Sequence, residues 1–585
     1  MSRRSATRVL VLVACVCFLT LVCAGPALGS EPAVPNSGLP LPPSVLPVIV
    51  LQGSDYDMGY QFAQQTTELF GKSVFQAMQR GTFTDTQILA LKAYQWYIQQ
   101  YTPEYIEMFK GMAAGASDSD VSLSYTEVLA NYVGTRSYPN PPAGSGDASL
   151  PPTCSCWAAW GKTTTDGSLI TGQEMDPPWG SFGNNSYVAV IAYPETGHAY
   201  INVSQPGQLT SIPVMPGINN KGVSTTGNLG GACRPADYAP AKSYTVKAGL
   251  IAHILRYSDS AAAAKDMWLS FNPSGIWNMT VSDVKGNAFT VESSPAFQAV
   301  RKPGDFGEGN FIYSRNCFFT NGDASLNGAA GKFYPHGGWA QNPVMSDPPD
   351  SESDMQLASV RTNQTMYNMF SEYKGRVNLD FAKMMFRHYG TIPSDPWDLQ
   401  AFRQNKAKYF GNPGNLNAGF VTISQPADGD GGVMNICTGA VGRVGLPYEA
   451  GPADDVYWVA GTHTFYSLPL AADADAMVSA SQATSQHAIA TAWQKLMWKS
   501  IGDPGFDKLD SLFDQANKEW QEGCNWMSKA AKAGGNAKAL DNANAASCFA
   551  NAQAHATEVY DGIVHPAVQP TQLGLKAYIP YEYGF

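Results

Sequence analysis

The stretch from Cys154 to Asp176, Cys-Ser-Cys-Trp-Ala-Ala-Trp-Gly-Lys-Thr-Thr-Thr-Asp-Gly-Ser-Leu-Ile-Thr-Gly-Gln-Glu-Met-Asp, constrains the fold more than any other. Two apolar runs, residues 156–160 and 168–171, flank a polar segment at 162–167. Asp166-Gly167 is a strong signal for a tight hairpin turn, so the stretch predicts two antiparallel strands. A cysteine that opens the first strand then lies beside Asp176 at the end of the second. That brings a thiol and a carboxylate to one rim of a sheet. Cys156 is the rival thiol, expected on the opposite pleat. A hairpin whose cysteine only packs, or forms a disulfide, fits the same pattern.

Residues 1–29 read as a signal peptide. Arg3, Arg4 and Arg8 precede the apolar run Val9 to Val22, and Ala27-Leu28-Gly29 supplies small residues for cleavage. The run is short for a membrane-spanning helix, so the mature chain is expected without a transmembrane segment, secreted or periplasmic. Export would remove Cys15, Cys17 and Cys23 and leave seven of ten cysteines. An odd number in an oxidising compartment leaves at least one thiol unpaired within the chain, either reactive or buried and inert. Loss of the three arginines takes the net charge from −11 to −14. That balance argues against nucleic acid or an anionic membrane surface as partner.

Residues 30–153 are expected to form a mainly helical propeptide. After a Pro-rich linker (31–48), Val48 to Gly53 reads as a strand and Asp55 opens a helix. Helical periodicity returns at 88–101 and 105–112. Residues 138–152, rich in Pro, Gly, Ser and Ala, form a flexible approach to Cys154. Downstream, strand-like runs at 187–192, 198–203, 222–226, 279–284 and 288–292 are separated by turn signals at Asn219-Asn220, Lys285-Gly286 and Asp323-Ala324. They predict antiparallel sheets. Helices are expected at 246–256, 261–269, 361–373 and 380–389. The whole is α+β, with a core over 154–474. Residues 475–585 are an addition, Ala-rich and helical to about 560, whose role the sequence does not disclose. Within it Cys524 and Cys548 are expected to pair across a turn at Gly534-Gly535, closing a loop worth about 3 kcal/mol.

A thiol attacks an acyl carbon as thiolate, and a free cysteine ionises only near pH 8.5. Were Cys154 the first residue of a cut chain, its own α-amine could act as base. No histidine is then needed. His253, His388 and His463 show no triad or ligand spacing, although a His-dependent thiol protease remains open, since partners need only meet in space. No metal or cofactor is called for.

The pattern Cys-x-x-aromatic, hairpin, Gly-x-x-Met-Asp resembles the start of the mature chain in choloylglycine hydrolases and penicillin V acylases. It is closer still to the acyl-coenzyme A:6-aminopenicillanate acyltransferase group. Gly53-x-x-Tyr56-x-x-Gly59, residues 103–115 and residues 127–131 resemble the propeptides of that group. The resemblance implies a four-layer αββα sandwich of the N-terminal-nucleophile type, here with a helical C-terminal addition. It implies self-cleavage between Thr153 and Cys154, with the propeptide chain retained. It also implies roles by position. Asp176 would hold the new terminal amine. Asn228, after Gly217-Ile-Asn-Asn-Lys-Gly222, would stand near an oxyanion hole. Asn316 in Ser314-Arg-Asn316 would orient the amine and the intermediate, with Asn321 as its rival. Arg361 would open a helix. Each has a plain alternative: a turn for Asn228 or Asp176, a loop for Asn316, a surface ion pair for Arg361. Gln173 stands where the bile-salt branch has arginine, which removes a fixed positive charge beside the thiol and argues against a bile-salt substrate. The implied activity is cleavage or transfer of an acyl group at a linear amide of a small N-acyl substrate, through a thioester. A phospholipase-B-like lipid acyl hydrolase is the runner-up. A catalytically dead secreted binding protein on the same scaffold is the alternative of another class.

Overall fold

The computed structural model describes residues 46–134, 154–175, 187–209, 215–229, 250–271, 277–293, 298–305, 307–315, 366–367, 369–387, 420–438, 465–497 and 506–564. Of the expected elements, the signal peptide at 1–29, most of the linker at 31–48, the approach at 138–152, the turn at Asp323-Ala324 and the start of the helix at 361–373 lie outside these residues. Strand β1 (Val48–Gly53) is followed by α1 (Asp55–Phe70), α2 (Asp85–Tyr101), α3 (Glu104–Asp118) and α4 (Tyr125–Gly134). Ser54 caps α1, its hydroxyl accepting from Asp57 N at 3.2 Å. Then come β2 (Cys154–Ala159), β3 (Ile170–Met175), β4 (Val188–Pro194), β5 (Tyr200–Ser204), β6 (Gly217–Asn219), β7 (Val223–Leu229), α5 (Leu250–Tyr257), α6 (Ala261–Ser270), β8 (Trp277–Asp283), β9 (Ala288–Ser293), β10 (Gln298–Arg301) and β11 (Phe311–Arg315). The chain continues with α7 (Leu379–Arg387), β12 (Phe420–Gln425), β13 (Gly432–Thr438), β14 (Tyr466–Leu470), α8 (Ala474–Leu496), α9 (Phe506–Ala530) and α10 (Gly535–Val564).

The strands make two sheets, ordered β1-β4-β5-β6-β7-β8-β9-β10 and β11-β2-β3-β12-β13-β14. Their packing follows from the alternation of side chains along each strand. In β1 and β4, Ile49, Leu51, Val188 and Val190 join a cluster with Met58 and Phe62 of α1 and Met108 and Phe109 of α3. Val48, Val50, Ala189 and Ile191 point the other way and meet Phe420, Met434 and Ile436 of the second sheet. That sheet's far face, through Trp157, Val421 and Ile423, packs on Met366, Phe370 and Phe381. The fold is therefore mixed α/β, two sheets with helices against them. The antiparallel expectation holds in every described ladder but one. β1 runs parallel to β4, with Val48 opposite Ala189.

β1 is also an edge strand, and an open edge exposes main-chain groups to unwanted pairing. Here side chains close it. Gln65 and Gln61, one turn apart on α1, each clasp a residue of β1: Gln65 bonds both N (2.9 Å) and O (2.7 Å) of Val50, and Gln61 those of Gln52 (2.8 and 2.9 Å). From α10, Asn551 accepts from Leu46 N at 3.3 Å and Ser547 donates to Leu46 O at 2.9 Å. Gln553 of the same helix accepts from Ser467 N at 3.2 Å, on edge strand β14 of the second sheet. The Ala-rich addition thus covers one edge of each sheet, a role its composition did not reveal.

Two further expectations are corrected within these elements. The β2–β3 connection is not a two-residue turn at Asp166-Gly167 but a longer loop containing a 3₁₀ turn, Gly161–Thr163. Gly167 keeps the left-handed backbone (φ 83°) that drew attention to it. Cys524 and Cys548 are both free thiols. Cys524 instead accepts from Gln482 Nε2 of α8 at 3.2 Å. The Cys548 thiol is pushed up to about 12 by burial and by the charges of Glu522 and Glu519.

The α8–α10 bundle encloses an ion pair of its own. His555 Nδ1 lies 2.7 Å from Glu519 Oε2, both buried. Burial depresses the imidazole, but the hydrogen bond and charge of Glu519, with the charge of Glu558, outweigh it and leave the pKa raised. A raised folded pKa stabilises fully below the unfolded value, about 6.5, and is lost as pH rises through the folded one. Resistance to urea should therefore fall as pH rises above about 6.5. The Glu519→Gln protein should be about 2 kcal/mol less stable at pH 6 and lose that trend. Equal pH slopes in the two proteins would rule the pair out as its source.

Candidate active site

Cys154 is the first residue of β2 and lies opposite Met175, the last residue of β3. Asp176, the carboxylate of the expected rim, follows Met175 in sequence and lies outside the described residues. Cys154 is buried, 6% exposed. One cross-strand contact fixes the hairpin. Trp157 lies over Gly172, where an added Cβ would come within 2.4 Å of the indole. The indole also packs against Phe370, ring centroids 5.3 Å apart.

The placement of Cys156 on the opposite pleat is corrected. Residues i and i+2 of a strand share a face. Trp157 and Ala159 turn to the helix-covered side, which leaves Cys154 and Cys156 together on the side facing the first sheet. Opposite Cys156 is Gln173, whose Oε1 accepts from Gly227 N of β7 at 2.8 Å and so ties the two sheets together.

Facing these residues is a polar band, almost wholly buried. Asn228 Nδ2 stands 3.2 Å from Cys156 Sγ, 2.8 Å from Ser314 Oγ and 3.0 Å from the Ser314 carbonyl. Its Oδ1 accepts from Asn278 Nδ2 at 2.8 Å. Cys156 Sγ is 3.0 Å from Ser314 Oγ and 3.6 Å from Thr280 Oγ1, which in turn meets Thr290 Oγ1 at 2.8 Å. Thr171 and Ser224 hydroxyls meet across the sheets at 2.9 Å. Burial raises the pKa of Cys156, against the hydrogen bonds from Ser314, Thr280 and Thr226 and the charge of Arg301. Arg301 is itself buried and paired with Glu308 Oε1 at 2.7 Å. Cys156 is thus a pinned, protonated thiol, a poor nucleophile.

Of the residues singled out from sequence, Cys154, Gln173 and Asn228 are brought to this region between the sheets. Thr153, Asp176, Asn316, Asn321 and Arg361 lie outside the described residues. β11 ends at Arg315 opposite Ser155, one residue short of Asn316. Asn219, in the Gly-x-Asn loop before β7, has a structural duty. Its Oδ1 accepts from Lys221 N and Val223 N at 3.0 Å each, and its Nδ2 donates to Leu255 O at 2.7 Å and Ser258 O at 2.9 Å. His253 sits in the outer helical layer, 2.6 Å from Glu104 Oε1, and takes no part in the polar band. His388 and His463 are not among the described residues. Among those residues no three His, Cys, Asp or Glu side chains are placed to hold a metal ion, and no helix is long and apolar enough to cross a membrane.

Sequence reasoning missed Ser314 as a site residue, and with it Asn278, Thr280 and Thr290. For Asn278 and Thr280 the available signal was the alternation in Trp277-Asn-Met-Thr-Val-Ser-Asp283, which reads as a solvated face but is buried on both sides.

No family model matches the chain. An uncharacterised protein from Archaeoglobus fulgidus is 26% identical over 258 residues, 40% of this chain and 41% of the relative. The match spans less than half the length of that relative. Among solved structures, the conjugated bile acid hydrolase of Clostridium perfringens is similar over 49% of this chain and 89% of its own, at 14% identity and a TM-score of 0.28. Penicillin V acylase of Agrobacterium tumefaciens covers 49% and 83% at 11% identity and a TM-score of 0.26. A Caenorhabditis elegans ortholog of the N-acylethanolamine-hydrolyzing acid amidase covers 47% and 93% at 13% identity and a TM-score of 0.28. All three superpose loosely and on about half of the chain.

Proposed function

We propose that the chain is an exported, self-processing cysteine hydrolase or acyltransferase that acts on a linear amide of a small N-acyl substrate, on an αββα sandwich of the N-terminal-nucleophile type. The observation that carries the reading is the position of Cys154. It opens β2 opposite Met175, on the face that meets Asn228. A nucleophile there has the Asn228 amide across the gap between the sheets, and the neighbouring carboxylate is assigned to Asp176, the residue after Met175 in sequence. Buried, preorganised donors of that kind stabilise an oxyanion without changing protonation.

The chemistry follows in two stages. In the precursor, the Cys154 sulfur attacks the Thr153 carbonyl, the peptide C–N bond breaks as the Cys154 nitrogen takes up a proton, and water hydrolyses the resulting thioester to free the Thr153 carboxylate and a terminal cysteine. In the processed protein, the α-amine takes the thiol proton and the thiolate adds to the substrate carbonyl. Asn228 and Asn316 donate to the oxyanion while Asp176 holds the amine. Collapse expels the substrate amine, protonated from the Cys154 ammonium, and leaves a thioester. Water or another amine resolves it.

N-terminal sequencing of the larger chain on a denaturing gel tests the processing step. A sequence beginning Cys-Ser-Cys-Trp is expected. For the donors, Asn316→Ala should lower turnover by about 10²–10³ with the fold intact. Near-normal turnover in the folded variant removes Asn316 from the site and promotes Asn321.

A further inference from the structure

We infer that Asn278 is a positioning residue. It fixes which end of the Asn228 amide faces the cysteine-bearing strand, and so makes this side of the site a donor. The inference rests on the reading of Cys154 as nucleophile.

A side-chain amide has a donating and an accepting end, and only its neighbours decide how it is turned. At Asn228 two neighbours decide together. The Ser314 main-chain carbonyl can only accept, and it lies 3.0 Å from one end of the amide, so that end is the NH₂. The same NH₂ is within 2.8 Å of Ser314 Oγ and 3.2 Å of Cys156 Sγ. The other end, the carbonyl, then points along the sheet to Asn278, which meets it with its own N–H at 2.8 Å. The pairing follows from the register of β7 and β8, which sets Asn228 directly opposite Asn278. Asn228 is 1% exposed and Asn278 fully buried, so bulk water cannot replace a partner that is turned the wrong way. Asn278 itself lies one strand further from β2 and acts through Asn228.

The arrangement makes a prediction with a sign. Asn278→Asp preserves shape but replaces a donor by an anionic acceptor. The introduced carboxylate and the Ser314 carbonyl then compete for the one NH₂ of Asn228. When the NH₂ turns toward the carboxylate, its carbonyl oxygen is presented to the cysteine strand and would oppose an oxyanion. Protonation of the introduced carboxyl restores a donor toward Asn228 Oδ1, and with it the native orientation. The variant should therefore carry an ionisation that the wild type lacks, active when protonated and impaired when charged.

The test uses the full chain, allowed to process, and p-nitrophenyl acetate as a generic acylating probe. The release of p-nitrophenol is followed from pH 5 to 9. Cys154→Ala sets the baseline. A burst that survives in it overturns the nucleophile itself, and the present inference with it. With a Cys154-dependent burst, Asn278→Asp should match the wild type at low pH. Its acylation rate should fall by about 10- to 100-fold as pH rises, with the probe's half-saturation little changed, the scale typical for loss of a supporting partner. Asn278→Ala should be slower by about 10-fold at every pH, without the new limb. A folded Asn278→Asp protein whose profile follows the wild type overturns the inference. Where that variant fails to fold, a folded Asn278→Ala protein with the wild-type rate overturns it equally.

Discussion

The Cys154→Ala protein should run as one uncut chain on a denaturing gel, with turnover reduced to background. Removing the nucleophile of a covalent hydrolase costs about 10⁶ in rate, and here the same atom is needed twice, for the cut and for the catalysis that follows. The wild type should give two chains that stay together, because the N-terminal part supplies β1 to the first sheet and α1 and α3 to its cover. The Asp55–Arg256 ion pair at 2.5 Å and the Glu104–His253 hydrogen bond at 2.6 Å reinforce that association. Cys154→Ser keeps an attacking oxygen and should process slowly. Cys156 cannot take over, because it is fully buried, held by Asn228, Ser314 and Thr280, and raised in pKa by that burial. An active protein that remains a single chain, or a larger fragment that begins at Cys156, would falsify the assignment of Cys154.

Where local chemistry decides the structure, the sequence was a good guide. The start of α1 at Asp55, the β2–β3 strands, and the turns at Asn219-Asn220 and Lys285-Gly286 all depend on a few adjacent residues, and they stand where expected. Three things depend on partners far along the chain and were not legible. The parallel pairing of β1 with β4 joins residues well over a hundred positions apart. The cover that α10 gives to β1 uses Asn551 and Ser547 against Leu46, and nothing in an Ala-rich helix announces such a target. The polar band is the clearest case. Asn278, Thr280 and Ser282 alternate with Trp277, Met279 and Val281, a pattern that ordinarily assigns the polar side to solvent. The structure buries it between the sheets, where each hydroxyl and amide requires a partner. Of the candidate site, the gathering of Cys154, Gln173 and Asn228 between the sheets was legible through the motif. The supporting residues Ser314 and Asn278 were not, since their relation to Cys156 exists only across strands.

The other large effect is expected far from the thiol, at the crossing of α1 and α3. Gly59 in the Gly53-x-x-Tyr56-x-x-Gly59 motif and Gly111 lie where the two backbones touch. A Cβ on Gly59 would sit 1.9 Å from Met108 O, and one on Gly111 the same distance from Tyr56 O. Both glycines lie within helices and outside the left-handed region, so conformational freedom is not their purpose. In an exposed helix Gly→Ala would add about 1 kcal/mol of stability through helix propensity. Here the methyl group must displace backbone, which cannot swing aside as a side chain can. The helices have to separate by more than an ångström, and the packing of Met58, Phe62, Met108 and Phe109 against the first sheet loosens with them. Overpacking of that kind typically costs 1–3 kcal/mol, so Gly111→Ala should lower the unfolding free energy by about 3 kcal/mol. Because α1 also carries Gln61 and Gln65, the clasp on β1 should weaken in step, and amide exchange at Val50 and Gln52 should accelerate. Gly59→Ala should behave alike. The double variant should cost clearly less than the sum, since one separation relieves both contacts. Full additivity in urea unfolding, or a Gly111→Ala protein more stable than the wild type, would show that the crossing is not the tight contact described.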